Sequence, residues 1–403
     1  MILTMLLHLT LKIGVNNMKN RRTLDCHYEI FNPNIVSADG CYVVDDTGKR
    51  YVDFESGVWC TSIGHNNKRV NDAIIKQLNT VSHAGYRYTS KVVNEAAEKV
   101  LDITKFDDGK CVFLSSGSEA VEFGVRVAKE VMDKQYLIRL DNYYLAAYGM
   151  SASKDSEQWI SLDLSKYCGS PDAFLKDVEF DKIGAFVFEP GNASGTVKLP
   201  SVDLIKKIEA RIKASGALIV VDEVTTGIGR TGKYCGFEHY DMRPDIVSFG
   251  KGIGSGYPVS VICMTKQVAD KIEASGFRYA QSHQDDPLAC AVVKEVLSVI
   301  RDNDYIQRAA HMGIVLEEEL KTLMKKHACI KEVRGVGLMY ALEFSDEASI
   351  GLEKVHRELF DSGYIVGLHK VANALRFYPP LIIEEAHIKN MAKTLDIILT
   401  KVG

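Results

Sequence analysis

The sequence predicts an α/β protein: a large domain with a mixed, mostly parallel sheet between helices, and a smaller α+β domain assembled from both termini. Three observations carry this expectation. Five segments, CVFLSS (111–116), AFVFEP (185–190), ALIVVDE (217–223), DIVSFGK (245–251) and VSVICM (259–264), are short, β-branched and almost continuously apolar. Strands covered by helices on both faces have that composition. Amphipathic stretches separate them, such as SVDLIKKIEARIKASG from Ser201 to Gly216, whose final glycine suits a helix C-cap. Beyond about Ala289 the pattern turns helical, then gives two further strand-like runs, GVGLMYALEF and ALRFYPPL. The expected divisions are 21–70 and 291–403 for the small domain and 71–290 for the large one.

Ahead of these lies CYVVDDTGKRYVDF (41–54), an alternating strand, an Asp-Asp-Thr-Gly turn and a second strand, which reads as a hairpin. Helical periodicity dominates from Val70 to Ile103. Residues 1–20 include the apolar run MILTMLLHLTLKIGV but no basic segment before it, so an N-terminal extension ahead of Met18 is expected rather than a targeting signal. No other run approaches the ~20 apolar residues of a membrane span.

The 403 residues are 46% hydrophobic and 25% charged, enough for one large or two moderate cores. A net charge of -4 carries no basic footprint for nucleic acid. Nine cysteines without a C-x-x-C pair suit a reducing, cytoplasmic setting and argue against a disulfide framework or a zinc site, so no metal is expected.

Three features carry chemistry. In FLSSGSEAVEFGVRVAKEVM, Ser116 and Glu119 fit a capping box, and Ser116, Gly117 and Ser118 set hydroxyls and free amides at a helix N-terminus, an anion site. No Walker lysine accompanies it. In VVDEVTTGIGRTG (220–232), an apolar strand ends on Asp222 and Glu223, carboxylates that need a cationic partner if buried. In DIVSFGKGIGSGYPV, Lys251 follows a strand directly inside a glycine-rich loop whose spacing does not fit a dinucleotide fingerprint. A phosphorylated pyridine aldehyde would use all three: phosphate on the helix end, aldehyde on the lysine, protonated ring nitrogen on the carboxylate.

DEVTTGIGRTG followed by DIVSFGKGIGSGYPVS closely resembles the signature of the class III pyridoxal-phosphate (PLP) aminotransferases of fold type I. Weaker similarity runs along nearly the whole chain, through DDTGKRYVDFESGVWCTSIGHNN, LSSGSEAVEFGVRVAK, VFEP, DPLACA, VRGVGLMYALEF and LRFYPPLII. The resemblance implies that Lys251 is the Schiff-base lysine and Asp222 the pyridinium partner. It implies Val224 on one ring face and Tyr143 stacked on the other, with Ser116, Gly117 and Ser118 at the phosphate. Glu189 and Thr225 become cofactor contacts. Ser282 stands where relatives reach the phosphate of the neighbouring subunit's cofactor, which implies a homodimer with shared active sites. Transamination between an amine or amino acid and a keto acid or aldehyde is the implied reaction; aminomutase, racemase or decarboxylase chemistry would use the same site.

The departures bear on substrate. YYLAAYG (143–149) places Ala146 where a subgroup of the family has the arginine for a distal carboxylate, and Ser194 replaces the glutamate that parks the second arginine, here Arg376. Arg376 is therefore expected to stand unpaired, waiting for a substrate carboxylate, with a structural ion pair inside the small domain as the alternative. Trp59, with Cys60, is expected in the substrate pocket, and Arg87, between Tyr86 and Tyr88, as a substitute carboxylate clamp. Asp285 and Asp286 have no chemical account from sequence.

Overall fold

The computed structural model describes residues 22–24, 26, 34–141, 143–153, 157–191, 196–345 and 351–402; the expected extension over residues 1–20 lies outside them, as does Ser194. A seven-stranded sheet fills the centre, built from β4 (Lys110–Leu114), β5 (Tyr136–Leu140), β6 (Trp159–Leu162), β7 (Ile183–Phe188), β8 (Leu218–Asp222), β9 (Ile246–Phe249) and β10 (Ser260–Met264). Their spatial order is β4-β10-β9-β8-β7-β5-β6. Pairings from β6 through β9 are parallel, and β10 runs antiparallel to both neighbours. All six residues of β7 and all five of β8 and β10 are buried, which is why they read as unbroken apolar runs. All five expected strands are present, and β5 and β6 join them.

Two four-stranded sheets flank this core. One pairs the N-terminal strands β1 (Ile35–Asp39), β2 (Tyr42–Asp45) and β3 (Arg50–Asp53) with β13 (Tyr364–Ile365) from the far end of the chain. The expected hairpin is β2–β3, with Val43 opposite Tyr51. The other has order β11-β12-β15-β14, from β11 (Ile330–Val336), β12 (Met339–Phe344), β14 (Gly367–His369) and β15 (Ala374–Phe377). The fold is thus mixed α/β with a mostly parallel central sheet.

The helical region from Val70 to Ile103 is two helices, α1 (Lys68–Leu78) and α2 (Lys91–Thr104), parted by a non-helical segment over 79–90. Helix α3 (Gly117–Met132) begins at Ser116, whose hydroxyl accepts from the Glu119 amide while the Glu119 carboxylate accepts from the Ser116 amide, completing the capping box. Among the described residues no helix is long and apolar enough to cross a membrane.

Candidate active site

The carboxyl ends of β8 and β9 and the N-terminus of α3 meet at a cavity of about 590 Å³. Its wall includes Ser116, Gly117, Ser118, Glu189, Asp222, Val224, Thr225 and Lys251, all expected at the site, together with Trp59 and Arg376. Ligands of open α/β sheets bind at this strand edge.

Asp222 closes β8 at 4% exposure. Burial pushes its carboxyl up to about 6, opposed by the Val224 amide, which donates to Oδ1 at 2.9 Å, and by the charge of Lys251. Glu223 points the other way. Its oxygens accept from Thr226 Oγ1 at 2.6 Å and from the Gly236 and Phe237 amides at 2.9 and 2.8 Å, so it holds the loop together. Burial raises it to about 7. Of the two adjacent carboxylates, one faces the cavity and one braces the turn.

Lys251 has φ +43°, a left-handed conformation uncommon for lysine. Its Nζ donates to Thr225 Oγ1 at 2.9 Å. Burial lowers its pKa, against the nearby negative charges of Asp222 and Glu189. A lowered ammonium is easier to deprotonate, as a nucleophilic or proton-shuttling lysine requires.

Glycine lets the cradle close. A Cβ on Gly117 would sit 2.6 Å from Val224 Cγ1, so only glycine lets the α3 N-terminus approach Val224 this closely. The amides of a helix's first turn lack intrahelical partners and favour an anion. A helix-end anion site, an apolar side chain beside it, a buried carboxylate and a buried lysine fit PLP as a donor set.

The substrate side holds the corrections. Arg376 is not unpaired: its Nη2 lies 3.4 Å from Glu55 Oε1, with both side chains 16% exposed. The Arg376 Nε has no partner among the described residues. A Cβ on Gly367, opposite Arg376 in the β14–β15 ladder, would fall 1.9 Å from Glu55 Oε1 and 2.8 Å from Arg376 Nε, so the glycine makes room for the pair. Burial raises the Glu55 carboxyl, opposed by the Arg376 charge.

Trp59 stacks on Tyr378 with ring centroids 4.7 Å apart, and its ring lies 5.0 Å from Lys251 Nζ and 5.1 Å from the Arg376 guanidinium. It is carried on a left-handed turn: Ser56, Gly57, Val58 and Trp59 have φ of 48°, 55°, 60° and 69°. That conformation costs about 1–2 kcal/mol per non-glycine residue. Asp53 pins the turn, its carboxylate accepting from the Glu55 and Gly57 amides and facing His65 Nε2 at 2.8 Å. Ser56 Oγ adds a bond to Tyr378 O.

Tyr143 is not at the cavity. It is buried at 2% exposure, its ring tilted against Phe188 at 6.5 Å. Leu145 takes φ +55°, and it is Tyr144, 52% exposed, that lines the cavity with Leu145. Arg87 also misses it, lying with Tyr86, Tyr88 and Asp285 around a separate cavity of about 720 Å³. Ser282 is exposed and outside the Lys251 cavity of its own chain. Sequence reasoning overlooked Glu55, Val58, Tyr144 and Leu145. Glu55 carried one signal, a carboxylate four residues before Trp59 on an otherwise apolar and small-residue run.

A family profile described as "Aminotransferase class-III" matches residues 25–399, and the chain belongs to that family. It is 30% identical to the acetylornithine aminotransferase of Bacillus subtilis over 379 residues, 91% of this chain and 95% of that protein. The crystal structure of acetylornithine aminotransferase from Elizabethkingia anophelis superposes with a TM-score of 0.84 at 25% identity, covering 96% of this chain and 98% of that one. An amine transaminase from an uncultivated Pseudomonas species in its PLP-bound form shares the fold, with a TM-score of 0.86 at 24% identity over 95% and 99%. The protein is a PLP-dependent aminotransferase, moving an amino group between an amine or amino acid and a keto acid or aldehyde.

Proposed function

We propose that Lys251 is the lysine that holds PLP and that Asp222 is the counter-ion of the cofactor's ring nitrogen. Bound there, PLP supplies an aldehyde that captures amines and a protonated ring that accepts electrons. The chain's own groups do the rest. Ser116, Gly117 and Ser118 at the α3 N-terminus would hold the cofactor's phosphate, and Val224 would pack against its ring. Lys251 Nζ would act as general base and then general acid, taking the proton from the donor carbon and returning it. Thr225 Oγ1 fixes that nitrogen, and Asp222 would be held ionised by a cationic ring nitrogen that offsets the burial raising it. Glu189 completes the cofactor contacts.

Arg376 binds the single carboxylate of substrate, displacing Glu55 as it does so. It is the one arginine lining the cavity among the described residues, which is the observation that carries the acceptor class. A dicarboxylate would leave one charge without a partner, a discrimination of several kcal/mol. A monocarboxylic keto acid or an aldehyde is the acceptor class this pocket suits. The enzyme works as a cytoplasmic homodimer in which Ser282 reaches the neighbouring subunit's cofactor phosphate; its exposure outside its own cavity supports that role.

A donor panel read at the cofactor's absorbance, then chased with pyruvate or 2-oxoglutarate, tests this reading. Pyruvate should return the starting spectrum with the higher kcat/KM. A preference for 2-oxoglutarate would show that the pocket finds a second cation.

A further inference from the structure

We propose that His83, His283 and Asp286 form a binding site for a divalent transition metal of the zinc class, outside the Lys251 cavity and independent of the transamination reading. Asp286 is the N-cap of the 16-residue helix α4 (Pro287–Asp302), 7% exposed. Its Oδ1 accepts from the Leu288 amide at 2.9 Å, which fixes the carboxylate. The other oxygen, Oδ2, is turned to two imidazoles: His83 Nδ1 lies 2.8 Å away and His283 Nδ1 3.1 Å away. The two rings are 4.8 Å apart by centroid and inclined at 51°. One ligand atom from each residue lies within 4.8 Å of the other two.

The 2.8 and 3.1 Å contacts are hydrogen-bond lengths in the metal-free site, and a small cation would replace the shared protons after a small opening. Zinc bonded to nitrogen and oxygen at about 2.0–2.1 Å in tetrahedral geometry has ligand–ligand edges of about 3.3 Å. The two carboxylate–imidazole edges would open by a few tenths of an ångström, and the two imidazole nitrogens, within 4.8 Å of each other, would draw together by rotation of the rings. Both histidines are free to do so, with side-chain exposures of 43% and 64%. Two imidazole nitrogens and one carboxylate oxygen select zinc, cobalt or nickel over magnesium or calcium, which prefer all-oxygen sites. The exposed side leaves a fourth position for water.

Asp285 is not part of the set. Its carboxylate accepts from the Phe113 amide at 2.9 Å, and its own amide donates to Phe113 O, tying the turn to the β4 edge. The two adjacent aspartates thus have separate tasks: one anchors the turn to the sheet, the other caps α4 and presents an oxygen to the histidines. His83 is 200 residues away in sequence, so no spacing motif announces the site. A bound cation would tie the segment at His83 to the turn carrying Ser282, next to His283.

The test uses tag-free holoenzyme, stripped with chelator and titrated with zinc by calorimetry and with cobalt by visible absorption. One zinc per chain is expected with micromolar or tighter affinity, together with a cobalt d–d band. His83→Ala and His283→Ala should each weaken binding by at least the roughly 10–100-fold that loss of an outer-shell partner costs, and the double variant should abolish it while retaining the PLP spectrum. Absence of saturable binding up to millimolar zinc overturns the proposal. Binding unchanged in the double variant also overturns it, because the ion would then sit elsewhere, on cysteines or cofactor phosphate.

Discussion

Replacing Glu55 by Gln isolates the charge of the residue that pairs with Arg376. Glutamine keeps the shape and an acceptor oxygen beside the guanidinium but removes the anion that competes with substrate. At the observed 3.4 Å, Coulomb's law with an effective dielectric near 20 gives a gross attraction of about 5 kcal/mol. Most of that is offset by the cost of holding both groups partly out of water, and the pair is a single long contact rather than a bidentate fork. A net competition of about 1–1.5 kcal/mol remains, equivalent to about tenfold in affinity. Glu55→Gln should therefore lower KM about tenfold for carboxylate-bearing donors and acceptors. Amines of the same skeleton without a carboxylate should show no gain. The assay is kcat/KM for alanine against ethylamine, and for pyruvate against acetaldehyde, in wild type and variant. Equal effects on both members of each pair would refute the competition and reduce Glu55 to a packing residue.

Two further outcomes follow from the carboxylates at the end of β8. Asp222→Asn should retain PLP but slow the donor half-reaction by about 10²-fold or more, since a neutral partner cannot hold a pyridinium; single-turnover absorbance measures it, and near-wild-type rates would move the role to another group. Glu223 has a folded-state carboxyl raised from 4.5 to about 7 by burial. Its protonated form is favoured in the fold, so its contribution is fully present below about pH 4.5 and is lost as pH rises through about 7. In cofactor-free protein, the Tm of Glu223→Gln relative to wild type should therefore climb between those values and then level off. A pH-independent difference would show that Glu223 titrates normally.

The central strands were legible because most are buried on both faces and so are almost continuously apolar. The wall of the Lys251 cavity was legible for a related reason: Asp222, Val224, Thr225 and Lys251 sit within a few positions of strand ends, where the fold itself puts chemistry. Strand β5 escaped because YLIRL carries a charge, and β6 because it is the four-residue run WISL with an exposed Ser161. Arg139 is nevertheless 4% exposed, bonded to Ser161 Oγ at 3.0 Å and laid 5.0 Å from the Trp159 ring. The pairing of Arg376 with Glu55 escaped because it depends on β14 running beside β15 with a glycine at the one position that would block it. Local backbone hand decided the rest. Tyr143 and Tyr144 are indistinguishable by type, and the left-handed Leu145 accompanies an arrangement in which Tyr143 is buried and Tyr144 meets the cavity. Arg87 was placed by the company it keeps in sequence, whereas the chain carries that company to a different cavity.

The assignment of Lys251 as the cofactor lysine is the claim on which the mechanism depends. Borohydride reduction of the yellow holoenzyme, proteolysis and mass spectrometry of the peptides tests it most directly. The geometry of the Lys251 cavity predicts one phosphopyridoxyl mass per chain, on the peptide containing Lys251, with loss of the visible absorbance band. The same mass on any other lysine, with Lys251 recovered unmodified, would contradict it.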